Sequence, residues 1–336
     1  MKIFSYIRIA GFKFFFLSFF LLNAHQEQNL PFNKVIIWGH KLHSHTHSYI
    51  HYAFYRTFKH LGYDIYWLDN NDNVSNFDFT NSLFLTEGQV DQKMPQRNDC
   101  RYILHNCNDV NYKALYDNGN AIKLQVYTHA CLQKNVQQID DYCYIDLKEK
   151  CLYMPWATDL LPHEIDEIKK QVPGIQKENA VYFIGSYMSG VFDNTRQWRP
   201  FKDACKKNNI AFIERHASPE ENITLIQKSF MAPAIQGKWQ CEVGYIPCRI
   251  FKNISYGQFG ITNSKTVYDL FKGKIIYNED TNQLFYDALE HIQKSSLNEL
   301  YELMDFVKEK HTYINRINYL IDFLDKVKNY NLNAKI

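Results

Sequence analysis

Short apolar runs alternate with amphipathic stretches along most of the chain. Residues 34–38 form an apolar run that ends in Gly39, which is typical of a buried strand followed by a turn. A helix is predicted after the next loop, because one face carries apolar side chains at helical spacing: Ile50, Ala53, Phe54, Phe58 and Leu61. Further short apolar runs at 64–69, 83–86, 102–105 and 123–127 predict more strands. This alternation predicts a parallel sheet with crossovers, a Rossmann-like domain over 32–156.

The same alternation begins again after a region of turn-forming and charged residues. Residues 157–178 contain prolines, a glycine and several charges, which predicts a linker. An apolar strand then ends in Gly185, and a helix and another strand follow. We therefore predict a second Rossmann-like domain over 179–295, so that the fold class is α/β with two Rossmann-like domains facing each other across a cleft. The last part, 296–336, has a helical apolar stripe.

Residues 1–24 have a different composition from the rest. Lys2, Arg8 and Lys13 precede an apolar run at 14–22, and Ala24 offers a small residue for cleavage. This layout predicts a signal peptide, with the mature chain beginning near His25, since the run is too short to cross a membrane. The alternative is a membrane anchor. The expected location is a secretory lumen or a membrane surface, or the cytoplasm if the segment is not a true signal.

Composition excludes some partners and leaves others open. The hydrophobic fraction of 46% and the charged fraction of 22% are those of a folded protein. A formal net charge of +2 argues against nucleic acid as a partner. The 8 cysteines include no pair with zinc-ligand spacing, so we expect most of them to be buried thiols.

The segment 244–264 has the pattern of an anion site. Pro247 suits the first turn of a helix, and Gly257 suits its end. A helix that begins after a glycine-containing turn presents unpaired N–H groups and a favourable dipole to phosphate. Arg249, in the first turn, adds a positive charge. The alternative is that Arg249 is a surface or ion-pairing residue.

A loop rich in histidine follows the first predicted strand, where open α/β sheets place ligand-binding groups. It carries Gly39, His40, His43, His45 and His47. One interpretation is a metal-dependent hydrolase that uses the HKLHSHTH loop. The other is an acceptor-binding loop without metal, in which His47 acts as general base because histidine titrates near neutral pH. We expect the second.

Two stretches resemble glycosyltransferases. Residues 244–264 are similar to the nucleotide-binding strand–loop–helix of GT-B glycosyltransferases, and HTYINRINYL at 311–320 resembles the closing helix of the spore-maturation-like (glycosyl transferases group 1) family. The resemblance implies that the C-terminal domain binds a nucleotide-sugar and the N-terminal domain binds the acceptor, which is a glycan, a lipid or a protein. It also implies that the closing helix crosses back to the N-terminal domain, and that catalysis needs no cofactor and no metal.

One residue departs from that family. Lys252 stands where the family usually carries the glutamate that holds the nucleotide ribose. Because lysine has no acceptor, either the ribose is held differently, or the nucleotide differs, or the protein is a catalytically inactive carbohydrate- or nucleotide-binding protein.

The candidate site residues fall into three sets. The catalytic candidates are His47, His45 and Glu87, the last of which ends a predicted strand. The acceptor-binding candidates are Gly39, His40, His43 and His105. The donor-binding candidates are Gly185, Ser186, Gln236, Gly244, Tyr245, Arg249, Lys252, Asn253 and Asn263. For Glu87 and His105, the alternative is an ordinary polar group at the end of a strand.

Overall fold

The computed structural model describes residues 32–41, 46–131, 136–185 and 193–333. The predicted leader at 1–24 lies outside these ranges, as do His43, His45 and Ser186. Residues from Phe32 onward form one compact unit. Within the described ranges, no helix combines the length and apolar character needed to cross a membrane.

In the part of the chain that the structure describes, the N-terminal half is built on an 8-stranded sheet with the order β2-β1-β3-β4-β5-β8-β7-β6. Its strands are β1 (Lys34–Trp38), β2 (Ile65–Leu68), β3 (Ser82–Glu87), β4 (Arg101–His105), β5 (Ala121–Gln125), β6 (Gln137–Asp140), β7 (Cys143–Asp146) and β8 (Cys151–Tyr153). Pairing is parallel from β2 to β8 and antiparallel for β7 and β6. The helices of this half are α1 (Thr46–His60) and α2 (Lys113–Asp117).

The strand order creates a switch point in this sheet. The chain leaves β1 through α1 to β2 on one side, and β3 then pairs with β1 on the other side. Open α/β sheets bind ligands beyond the carboxyl ends of strands at such a point, because the connections diverge there and leave a crevice. The loops after β1 and β3 therefore flank the expected crevice.

The C-terminal half repeats the α/β plan with shorter strands. The parallel pairs are β9 (Ala180–Ile184) with β10 (Ala211–Arg215), and β11 (Ile261–Thr262) with β12 (Ile276–Tyr277). The stretch 230–234 lies between them, since Phe230 N–H donates to Ala180 O at 2.7 Å and Ala234 pairs with Thr262. The predicted α/β class, with both halves built on parallel strands, is confirmed.

The remaining helices surround these strands and close the chain. They are α3 (Pro162–Gln171), α4 (Asn194–Lys207), α5 (Pro219–Lys228), α6 (Lys238–Glu242), α7 (Cys248–Ser255), α8 (Lys265–Leu270), α9 (Thr281–Lys294), α10 (Leu297–Lys310) and α11 (Tyr313–Asn333). Helix α3 lies within the predicted linker. Helix α10 packs against α3 and α7, whereas α11 packs against α1 and β5. The two closing helices therefore contact both halves, while the exact domain boundaries stay a prediction.

The start of α11 is fixed to the chain that joins the halves. Arg316 is buried, and its guanidinium donates to Pro155 O at 2.7 Å and to Trp156 O at 3.1 Å. Thr312 pairs with Thr158. The HTYINR stretch thus has a structural role, because it holds the connection between the two halves in place.

Candidate functional site

A cleft with a cavity volume of about 370 Å³ lies between the two halves. Its lining comes from the N-terminal half, from the connection after β8, and from the C-terminal half. The lining residues are His47, Ile50, Gln89, His105, Val126, Tyr127, Trp156, Phe183, Asn194, Trp198, Ala234, Ile235, Gln236, Gln240, Tyr245, Pro247, Cys248 and Arg249. Because both halves contribute, a ligand in this cleft would contact both at once.

Arg249 brings positive charge to the C-terminal wall. Helix α7 begins at Cys248, and Pro247, Cys248 and Arg249 all line the cleft. The guanidinium of Arg249 lies 4.0 Å from the centre of the Phe183 ring and donates to Ile184 O at 2.9 Å. Burial lowers the pKa of Arg249, but arginine stays protonated in proteins. Among the described residues, no carboxylate forms a salt bridge with it.

Gly185 lies beside the Arg249 side chain. Its φ of +117° is one that other residues rarely adopt, and a Cβ there would lie 3.4 Å from Arg249 Nη2. Predicted donor residues thus meet at the end of β9.

Gln236 and Tyr245 line the same wall, and Asn263 supports them from behind. Asn263 accepts from Gln236 N–H at 2.8 Å and donates to Gln236 O at 2.9 Å, while Gln236 Nε2 donates to Tyr245 O at 2.7 Å. Within the described residues, Gln236 Oε1 and Asn194 Oδ1 are buried acceptors without a hydrogen-bond partner. Buried acceptors are normally satisfied, so a pair of them beside a cleft suits a ligand that supplies N–H or O–H groups.

The other predicted donor residues lie behind this wall. Gly244 O accepts from Thr128 Oγ1 at 2.8 Å, and Asn253 Nδ2 donates to Ala232 O at 2.7 Å. Lys252 Nζ lies 3.5 Å from Asp159 Oδ2, and both side chains are nearly buried. None of the three predicted donor residues is part of the cleft lining. Their donor-binding roles stay predictions.

Histidines form the opposite wall, at the switch point of the N-terminal sheet. The His47 ring lies 5.5 Å from the His40 ring and 5.3 Å from the His105 ring, between centres. His40 Nε2 lies 3.1 Å from Glu87 Oε2. The structure thus brings together His40, His47, Glu87 and His105, all of which the sequence predicts. Gly39 supports this wall, since its carbonyl accepts from His51 Nδ1 at 2.8 Å.

Burial and hydrogen bonding set the charges on this wall. Burial raises the pKa of Glu87, but the hydrogen bonds from His40 and Gln89 N–H, with the nearby His47 and His105, outweigh it and lower this pKa overall. Burial lowers the pKa of His105. His105 Nδ1 lies 2.9 Å from Leu124 O, which can only accept, so this nitrogen carries the proton. Glu87 is therefore an anion, and His105 a neutral imidazole, near neutral pH.

Sequence reasoning missed much of the lining. Gln89, Tyr127 and Trp156 lie just beyond the carboxyl ends of β3, β5 and β8, a position that marks ligand-facing residues in parallel sheets. Phe183 and Trp198 belong to an aromatic cluster, with ring centres 4.7 Å apart, that supports the wall below Arg249. No spacing rule distinguishes these two from ordinary core aromatics.

The geometry allows specific chemistry. One wall offers a fixed cation at a helix start, which suits phosphate or diphosphate. The other wall offers imidazoles and a carboxylate, which suit proton transfer or metal binding. A bound molecule with an anionic group and a reactive centre would reach both walls.

Comparison with known proteins gives little further guidance. No protein-family model matches this chain, and no curated protein matches it. Among solved structures, a UDP-forming α,α-trehalose-phosphate synthase from Burkholderia xenovorans superposes with a TM-score of 0.39 at 8% identity, over 74% of each chain. A second solved structure is that of trehalose-6-phosphate from E. coli bound with UDP-2-fluoro glucose. It superposes with a TM-score of 0.36 at 8% identity, over 74% of this chain and 73% of that chain. Because both TM-scores are low, these structures indicate nothing about the substrate of this chain.

Proposed function

We propose that this protein is a glycosyltransferase that moves a sugar from a nucleotide-sugar donor to a glycan, lipid or protein acceptor. The observation that carries the proposal is the position of Arg249 at the start of α7. Its guanidinium faces a cleft between two α/β halves, and no described carboxylate neutralises it. The resemblance of 244–264 and of 311–320 to GT-B glycosyltransferases points to the same use of the cleft.

In this proposal the donor diphosphate lies against the start of α7. The bond between the sugar and the diphosphate breaks as an acceptor hydroxyl bonds to the anomeric carbon. Arg249 and the helix dipole stabilise the departing diphosphate without a metal at that position. The buried acceptors of Gln236 and Asn194 receive N–H or O–H groups of the donor. His47, on the opposite wall, takes the proton of the acceptor hydroxyl. The predicted leader would take the enzyme to a secretory lumen or a membrane surface.

Calorimetric titration with nucleoside diphosphates and their sugar conjugates tests this proposal. We expect one nucleotide to bind in the micromolar range, and its sugar conjugate to release the free diphosphate when an acceptor is present. Binding without release, over a broad panel of acceptors, would identify a binding protein that no longer catalyses. Failure of every nucleotide to bind would contradict the proposal.

A further inference from the structure

We propose that His40, His47 and Glu87 bind a divalent transition-metal ion, with zinc the ion that best suits these donors. One ligand atom from each of the three residues lies within 4.8 Å of the others. Two imidazoles and one carboxylate are the donor set of many zinc sites that keep a further position open. The site depends on these three residues alone and stands whether or not the chain transfers sugar.

Backbone geometry brings the three ligands together. His40 lies two residues beyond the end of β1, Glu87 ends β3, and the two strands are neighbours in the sheet. Gly39 has φ +86°, and a Cβ there would lie 2.1 Å from Val90 Cγ2, so only glycine fits this turn. His40 itself adopts a φ of 52°, which is uncommon outside glycine. The chain holds a strained turn at this point, and the turn places the His40 imidazole beside Glu87.

The separation of the ligand atoms is close to what a metal requires. Zinc ligands at about 2.0–2.2 Å around a tetrahedral ion lie about 3.4 Å from one another. His40 Nε2 and Glu87 Oε2 are 3.1 Å apart, so this pair already has the required spacing. The largest separation in the group, at most 4.8 Å, has to shrink by little more than an ångström. Rotation of the His47 side chain at the start of α1 can supply that movement.

Hydrogen bonds around the ligands resemble the outer shell of a metal site. Gln89 N–H donates to Glu87 Oε2 at 3.0 Å and orients the carboxylate. His51 Nδ1 and Trp67 Nε1 donate to Gly39 O at 2.8 and 2.9 Å and fix the turn that carries His40. Such supporting bonds set the direction of the ligands and raise metal affinity.

The site would face the cleft from the side opposite Arg249. Of the three ligands, His47 lines the cleft, so the site borders the cleft. A metal there would polarise a water or a hydroxyl, and it would leave the diphosphate to Arg249. A metal-bound His47 could not also serve as the general base of the proposed transfer, so that role and the expectation that His47 lines the cleft without binding a metal would then both be wrong.

Metal analysis of the purified protein, stripped with a chelator and reloaded, tests the site. We expect about one equivalent of Zn²⁺ per chain, and a visible d–d absorption of tetrahedral or five-coordinate type when Co²⁺ replaces zinc. Glu87→Gln and His47→Gln should each lower Zn²⁺ affinity by about 100-fold or more, and both should abolish the Co²⁺ spectrum. His60→Gln, at the exposed far end of α1, serves as the matched control and should bind like the wild type.

Circular dichroism and thermal unfolding of the metal-free variants show whether each variant folds. Two conservative variants at different residues keep the test valid if one of them misfolds. A wild-type protein that binds no stoichiometric Zn²⁺ would overturn the proposal. So would folded Glu87→Gln and His47→Gln proteins that keep wild-type affinity. Nucleotide binding is measured separately, so a missing metal site and a missing nucleotide site are told apart.

Discussion

Arg249 lines the cleft in the first turn of α7, beside Phe183 and Ile184. The sequence predicts its place in the first turn of a helix and leaves open whether it binds an anion or forms an ion pair. The structure gives it a backbone acceptor and an aromatic ring as neighbours, and no described carboxylate pairs with it. Those neighbours come from β9, some 65 residues away in the chain, and spacing along one helix carries no information about them.

Arg249→Ala should weaken binding of the nucleoside diphosphate by about 1.5–3 kcal/mol, the scale of a hydrogen bond to a charged group. Loss of the contact with Phe183 should lower the free energy of unfolding by no more than about 2 kcal/mol. Calorimetry and urea unfolding measure the two quantities. Arg215→Ala, which removes an arginine paired with Glu221, is the control and should leave nucleotide affinity unchanged. Unchanged affinity in Arg249→Ala, with lost stability, would mark Arg249 as structural.

His51 makes a prediction about pH. Burial lowers its pKa from 6.5 to about 4, so the folded protein binds fewer protons than the unfolded chain between these values. Stability therefore rises with pH in that window, and it falls as the pH drops from 6.5 towards 4, by up to about 3 kcal/mol for this residue. In His51→Gln, the free energy of unfolding, measured with denaturant at several pH values, should fall less steeply as the pH drops. His163→Gln, at an exposed position, should keep the wild-type slope.

At the scale of elements, hydrophobic pattern predicts most of the parallel strands and misses β8, β12 and the local hairpin. Strands β1, β3, β4, β5 and β9 are buried runs beside turns, and the sequence identifies each of them. The hairpin of β6 and β7 pairs antiparallel at the sheet edge, with exposed residues in β6 that give no apolar run. Helix α3 lies in a stretch whose prolines and charges favour a linker, yet Pro162 stands at its first position, where proline is tolerated.

The closing helix α11 makes a second prediction at this scale. Arg316 is buried and donates to the carbonyls of Pro155, Trp156 and Lys310, so its removal leaves three carbonyls without this donor and opens a cavity. Arg316→Ala should lower the free energy of unfolding by about 3 kcal/mol or more. Lys326→Ala, on the exposed face of the same helix, should change it by less than about 0.5 kcal/mol. Equal stability of the two variants in urea unfolding would contradict the structural role of Arg316.

At the scale of the whole molecule, the cleft depends on how the two halves are joined. The sequence predicts two α/β halves because each begins with an apolar strand and a glycine turn. Of the predicted site residues, five line the cleft, and their roles stay predictions: His47, His105, Gln236, Tyr245 and Arg249. The resemblance of 244–264 to a nucleotide-binding segment assigns Lys252 and Asn253 to the donor site. Their side chains instead contact Asp159 and the carbonyl of Ala232. The packing of α7 against the rest of the chain determines these contacts.

Lys252 provides the last prediction, because it stands where glutamate would be expected to hold the ribose. Its amine lies 3.5 Å from Asp159, in the connection between the halves, and 5.2 Å from the ring of Tyr49 in α1. Asp159 also accepts from Tyr256 at 2.6 Å. Lys252→Glu places two carboxylates in this nearly buried space, so it should lower the free energy of unfolding by about 3 kcal/mol or more and should not tighten nucleotide binding.

A double-mutant cycle separates charge from packing. Lys252→Met keeps the length of the side chain without its charge, and it should cost less than Lys252→Glu because it adds no repulsion. In an Asp159→Asn background, the cost of Lys252→Glu should fall by about 1 kcal/mol or more, since the opposing carboxylate is gone. If Lys252→Glu instead binds nucleotide more tightly at unchanged stability, residue 252 faces the ribose as the resemblance implies, and the ion pair with Asp159 does not hold the halves together.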